Sequence, residues 1–158
     1  MSKWIPAPVI FALVVASAFQ PFNAYGRRSA SGTATARTTV LPQMALQKTR
    51  DLEFGSAVQG EEALDISPGA VAGAQFSVAG QPGHAYSIVL PESIQMTTPG
   101  NPADSILISR FRSLPARTGN LNSSGTDTIA VGATRAAVKT NATSGEYSGE
   151  FTVTVTYQ

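Results

Sequence analysis

Along residues 147–157 apolar and polar positions alternate without a break. Tyr147, Gly149, Phe151, Val153, Val155 and Tyr157 fall on one side; Ser148, Glu150, Thr152, Thr154 and Thr156 fall on the other. Successive side chains of a strand point to opposite faces, so this pattern predicts a strand with one apolar face. The same period of two recurs upstream. Residues Thr33–Leu41 alternate small and β-branched side chains. Met44 pairs with Leu46, Leu52 with Phe54, Leu64 with Ile66, and Phe76 with Val78. Tyr86, Ile88 and Leu90 share a face, as do Ile106 and Ile108, with Phe111 opposed or displaced by a bulge. Ile129 and Val131 form a further pair, and "SIQMTT" carries a weaker signal.

No helical period persists beyond a turn or two. The apolar runs stop at Pro68-Gly69, "GQPG" and Pro91, the residues that punctuate strands. The pattern predicts roughly eight or nine strands with turns about every 8–12 residues, the mark of an antiparallel sandwich or barrel. "NPADS" and "RTGNLNSSGTD" are expected as the long exposed loops.

Composition sharpens this reading. The chain has 158 residues, enough for one ordinary domain, and 42% of them are apolar, enough for a core. Only 13% are charged, about half the usual share of ~25%. The outward faces are therefore rich in hydroxyls rather than charges. Formal net charge is +1 and the only adjacent basic pair is Arg27-Arg28, which gives phosphate neutralisation no footing; no nucleic-acid partner is expected. There is no cysteine, which removes disulfides and thiol chemistry.

The first residues address the chain rather than fold it. Lys3 supplies a positive start and Val9–Ala18 an apolar run. That run is about ten residues, suited to a signal peptide and short of the roughly 20 that span a bilayer. Small residues follow at Ala24-Tyr25-Gly26, the preferred cleavage site, with Ala16-Ser17-Ala18 as the alternative. The expected organisation is a signal peptide over 1–26, an N-terminal extension or first strand over 27–41, and a β-sandwich domain over 42–158. The expected route is export to the periplasm and then to the cell surface or beyond.

Reaction chemistry is sparse. His84 is the single histidine and follows a Pro-Gly turn; no nucleophile elbow accompanies it. Glu61 and Glu62 are adjacent, so on a strand they point apart and make a poor acid–base pair. Phosphate-binding and dinucleotide fingerprints are missing, as are cysteine–histidine zinc spacings. No enzymatic activity, cofactor or metal is expected.

Three linked motifs carry a resemblance. "DLEFGSAVQG" contains Leu52, Phe54 and Gly55. "AQFSVAGQPGHAYSIVLPESI" contains Phe76, Val78, Gly80, Tyr86, Ile88, Leu90 and Pro91. "SGEYSGEFTVTVTYQ" contains Gly145, Tyr147, Gly149, Phe151, Val153, Val155 and Tyr157. In this order they resemble a family of secreted bacterial all-β domains of unknown function. That family is in turn similar to pilus subunits of the chaperone–usher type, which carry a penultimate aromatic and an upstream glycine on a chaperone-bound strand. Tyr157 and Gly145 occupy those places.

The resemblance implies an immunoglobulin-like, pilin-like sandwich that lacks one strand and receives it from a neighbour's N-terminal extension. It implies a chaperone and subunit interface at Gly145, Tyr147, Phe151, Val153, Val155 and Tyr157, self-association into a polymer, and a periplasmic chaperone and outer-membrane usher as partners. The candidate donor is "SASGTATARTTVL", with Ala34, Ala36, Thr38 and Val40 as its knobs. An ordinary first strand of a self-complete sandwich is the alternative for the same residues. The expected function is a secreted structural subunit of a fimbria-like polymer; a monomeric carbohydrate- or surface-binding module is the other reading.

Overall fold

A computed structural model describes residues 30–158. The chain divides into two units, residues 1–38 and 39–158. The expected signal peptide over 1–26 lies outside the described residues. Of the first unit, residues 30–38 are exposed and form no strand.

The second unit is all-β, with nine strands and no helix among the described residues. They are β1 (Ala45–Arg50), β2 (Leu64–Asp65), β3 (Ala74–Ala79), β4 (Ala85–Val89), β5 (Ser93–Thr98), β6 (Asn101–Leu114), β7 (Thr118–Asn120), β8 (Thr126–Arg135) and β9 (Thr154–Tyr157). All pairings are antiparallel. One sheet runs β1-β3-β8-β6-β5, with β2 added to β8 past the end of β3; the other runs β7-β4-β9. The antiparallel sheets form a curled half-barrel.

Alternation places the core as expected. Ala74, Phe76 and Val78 of β3 and Ile129 and Val131 of β8 are buried against Tyr86 and Ile88 of β4, with Leu121 and Val153 completing the cluster. The two sheets are also joined by a hydrogen bond, from the Tyr86 hydroxyl to Asp127 Oδ2 at 2.7 Å. Burial, and then the Asp127 carboxylate, push the Tyr86 phenol upwards, so it stays a donor at every physiological pH.

Several local expectations are corrected. "DLEFG" is no strand, although Leu52 and Phe54 are both half-buried. "NPADS" opens β6 instead of a loop, because Asp104 turns inward and finds donors there. "RTGNLNSSGTD" holds β7 and the buried Leu121 as well as the turn; in that turn Asn122 Oδ1 accepts from the Ser124 and Thr126 amides. The terminal strand is shorter than its pattern: Tyr147–Val153 keep the alternation but only Thr154–Tyr157 join a sheet. In β6 the register slips between Ser109 and Arg112, and Arg110 sits at φ 52°. The bulge reverses the parity, so Phe111 rejoins the inner side and Arg110 faces solvent.

The connection from β2 to β3 passes directly over β8 at Gly132. A side chain there meets the Ile66 carbonyl and the Pro68 nitrogen, the latter 2.6 Å from where a Cβ stands. Both obstacles are backbone and cannot rotate away. Gly132→Ala is therefore expected to destabilise the fold by about 1–3 kcal/mol or more, read as a lower urea midpoint in equilibrium unfolding.

Candidate functional site: an unfilled cleft beside the C-terminal segment

The C-terminal residues tie the two sheets together. Gly145 backs onto Thr98, leaving 2.9 Å between a notional Cβ and Thr98 Oγ1. Tyr147 is half-buried. Ser148 makes an isolated bridge with Thr97 on the β5 edge, through bonds of 2.9 and 3.0 Å. The chain then leaves the first sheet and crosses to β9, which pairs with β4 alone. On the way Phe151 inserts its ring between Phe76 and Phe111, at centroid distances of 6.2 and 5.1 Å. Val153 is buried in the core, and Val155 and Tyr157 are half-buried. The Tyr157 hydroxyl accepts from the Gln81 amide at 2.7 Å and donates to the Pro42 carbonyl at 3.0 Å.

Residues 149–153 make no backbone hydrogen bond to another strand among the described residues. The same holds for residues 54–57, beyond the end of β1. Between these two stretches lies a cleft of about 1270 Å³. Small-molecule pockets span ~300–1,000 Å³, so this one is large. Its apolar lining comes from two separate clusters. Ala74, Phe76 and Phe151 belong to the main core; Met96, Ile106, Val138, Ala142 and Tyr147 belong to a smaller one.

Two buried charges frame the cleft. Arg135 ends the inward row Ile129, Val131, Ala133 on β8 and is 2% exposed. Its Nη2 donates to Glu61 Oε1 at 2.6 Å and to the Glu62 carbonyl at 3.1 Å. The Val58 amide and then Arg135 hold the Glu61 carboxyl below its ordinary value. This pair pins the loop 51–62 to the sheet. Behind the lining residues Thr143 and Tyr147, Asp104 Oδ2 accepts from the Thr143 amide at 2.6 Å and from the Tyr147 hydroxyl at 2.8 Å, and Lys139 Nζ stands 3.5 Å from Oδ1. Asp104 thereby fastens the segment that carries Gly145 and Tyr147 to β6.

The sequence-predicted residues thus separate. Gly145, Tyr147 and Phe151 line the cleft, Val153 serves the core, and Val155 and Tyr157 flank a smaller hollow shared with Leu41 and Met44. Ala34, Ala36, Thr38 and Val40 are exposed and belong to no strand. Arg135 and Asp104 were missed, although each stands on the inward parity of its strand, beyond Val131 and before Ile106. The His84 ring makes an edge contact with Tyr157, with centroids 5.9 Å apart.

The sequence profile of a family described as Domain of unknown function (DUF4402) matches residues 44–157. The chain belongs to this family. Among curated proteins, none matches it. The DUF4402 domain accordingly includes both walls of the cleft and leaves residues 30–43 outside the match.

The Asp104 anchor has a pH signature. Its carboxyl is held down at about 2, first by the Thr143 amide and then by the Tyr147 hydroxyl. The unfolded value is near ~3.9. A depressed folded value stabilises in full above the unfolded one, and the contribution drains away as pH falls from about 4 towards 2. The wild-type melting temperature should therefore drop more steeply over that interval than that of Asp104→Asn, which should start lower at pH 7. Circular-dichroism melts across pH 2–7 check both points.

Proposed function

We propose that this domain is an exported structural subunit whose pilin-like, immunoglobulin-like sandwich is completed by a strand from a second copy. The supporting observation is the divided core. A domain ordinarily buries one contiguous apolar core, with smaller satellite clusters lying under its loops. Here two clusters face a shared cleft, and backbone without ladder partners borders it on both sides. A strand laid between residues 54–57 and 149–153 joins the two clusters. It also gives partners to main-chain groups that have none among the described residues.

Residues 29–41 supply the strand. Residues 30–40 are exposed and Leu41 half-buried, none of them lies in a strand, and only Arg37 is charged. Backbone pairing gives such a joint affinity, and the alternate side chains give it register. A fully buried aliphatic knob is worth ~1.5–3 kcal/mol, but each CH₂ only ~0.8. With Ala34 and Ala36 among the knobs, the joint is weaker than one built from Val, Ile and Leu. The C-terminal alternation ending in Tyr157 is the surface offered to a periplasmic chaperone before assembly. An export signal over 1–26 carries the chain to the compartment where assembly takes place. The subunit performs no chemistry.

Deletion of Ser29–Leu41 is expected to abolish high-molecular-weight ladders on unheated denaturing gels and to leave monomeric or chaperone-bound protein. Ladders that survive the deletion unchanged overturn the reading.

A further inference from the structure

The cleft is charged as well as apolar. Some of the charge in its lining is matched: Lys48 pairs with Asp51, and Arg135 with Glu61, each at 2.6 Å. Glu53, Glu146 and Glu150 also line it. All three are exposed, and none takes part in an ion pair among the described residues. Glu53 stands on the wall that follows β1; Glu146 and Glu150 stand on the C-terminal wall.

The segment before the domain is charged the other way. Residues 27–41 carry Arg27, Arg28 and Arg37 and no acid, whereas residues 42–158 carry ten acids against seven bases. The chain is a basic arm joined to a domain of acidic balance, and unmatched acids border the opening that the arm would enter. The position of Arg37 fits as well. With Ala34, Ala36, Thr38 and Val40 turned inward, Arg37 faces out of the cleft. Glu150, between Gly149 and Phe151, holds the outward parity of its own segment.

Resting on the strand-complementation reading, we propose that Glu53, Glu146 and Glu150 form an electrostatic guide that selects the arginine-bearing arm of a second copy and keeps Arg37 at the rim while the small side chains enter. Complementary charge raises encounter rates by about 10–10³-fold and disfavours wrong partners. Alanine and threonine knobs discriminate weakly by themselves, so the charge supplies what their size does not. The arginines also repel one another, which discourages two arms from pairing together. A shift of the strand by one residue turns Arg37 into the apolar lining and buries an unpaired charge. The joint therefore reads the arm on both faces, small side chains within and an arginine without.

The test reverses charge on one side of the joint at a time, in the full exported chain. The arm variant combines Arg28→Glu with Arg37→Glu and leaves Arg27, at the expected cleavage site, unchanged. The cleft variant combines Glu53→Lys with Glu150→Lys; both positions are exposed, so its monomer melting should match wild type. Ladders on unheated denaturing gels are read from cells exporting each variant alone and both together, with equal export checked by blotting. Each variant alone sets like charge against like, and its ladders should fall roughly tenfold or more. Together, the reversed arm meets the reversed cleft and the native arm meets the native cleft, so ladders of alternating copies should return. If a variant is poorly exported, the wild-type protein decides. Its subunits, diluted from denaturant, should rejoin roughly tenfold more slowly at about 0.15 M salt than at about 0.01 M, as the screening length contracts from ~30 to ~8 Å.

Wild-type ladders from either variant alone overturn the guide, as does a mixture no better than its parts or a rejoining rate indifferent to salt. In each case, loss of ladders on deleting Ser29–Leu41 leaves the strand-complementation reading standing. If that deletion leaves ladders intact, or the wild-type chain forms none, both fall.

Discussion

Two hydrophobic clusters, one around Val78 and Tyr86 and the other around Ile106 and Val138, approach each other across a gap that no strand of the described chain occupies. Most of the molecule's unusual features follow from that gap. Apolar surface left open to water is unfavourable in proportion to its area, ~25 cal/mol per Å². Main chain bordering the gap needs partners as well. The residues around it are accordingly held in place by means other than packing across it.

Those means are polar. Behind one wall the buried Asp104 carboxylate gathers the Thr143 amide and the Tyr147 hydroxyl and so keeps the C-terminal segment on β6. On the other, Arg135 and Glu61 keep the loop after β1 against the sheet. Buried charges are expensive unless paired, and apolar side chains often replace them without loss. Their presence here is better understood as positioning: both walls stay where they are while the space between them is empty. Phe151 adds a third anchor by wedging between Phe76 and Phe111 where the chain crosses from one sheet to the other.

This arrangement also explains why the end of the chain behaves in two ways. From Thr154 onwards its backbone pairs with β4, and Tyr157 is fastened by its hydroxyl to Gln81 and Pro42. Before Thr154 the side chains keep facing in and out in turn, but the backbone pairs with nothing among the described residues, apart from the bridge at Ser148. One face of the segment is satisfied by the core, while residues 149–153 of its backbone have no ladder partner among the described residues.

Period-two alternation is a local property, and by itself it determined the all-β, antiparallel character, most strand positions and which residues face inward; Phe76, Val78, Tyr86, Ile88, Ile129 and Val131 lie where that pattern put them. It also contained the parity of Asp104 and Arg135, though parity alone does not say that an inward charge has found a partner. Partners came from far along the chain, Thr143 and Tyr147 for one and Glu61 for the other, and only the folded arrangement brings them within reach. The same limit applies to strand pairing. Residues 52–54 and 147–153 alternate as well as any true strand does, yet a ladder needs a neighbour, and alternation carries no information about whether one is present. The order of strands in the two sheets, the bulge at Arg110 that returns Phe111 to the inner side, and the cleft between two separate clusters were therefore decided by tertiary structure, because each depends on where distant backbone ends up.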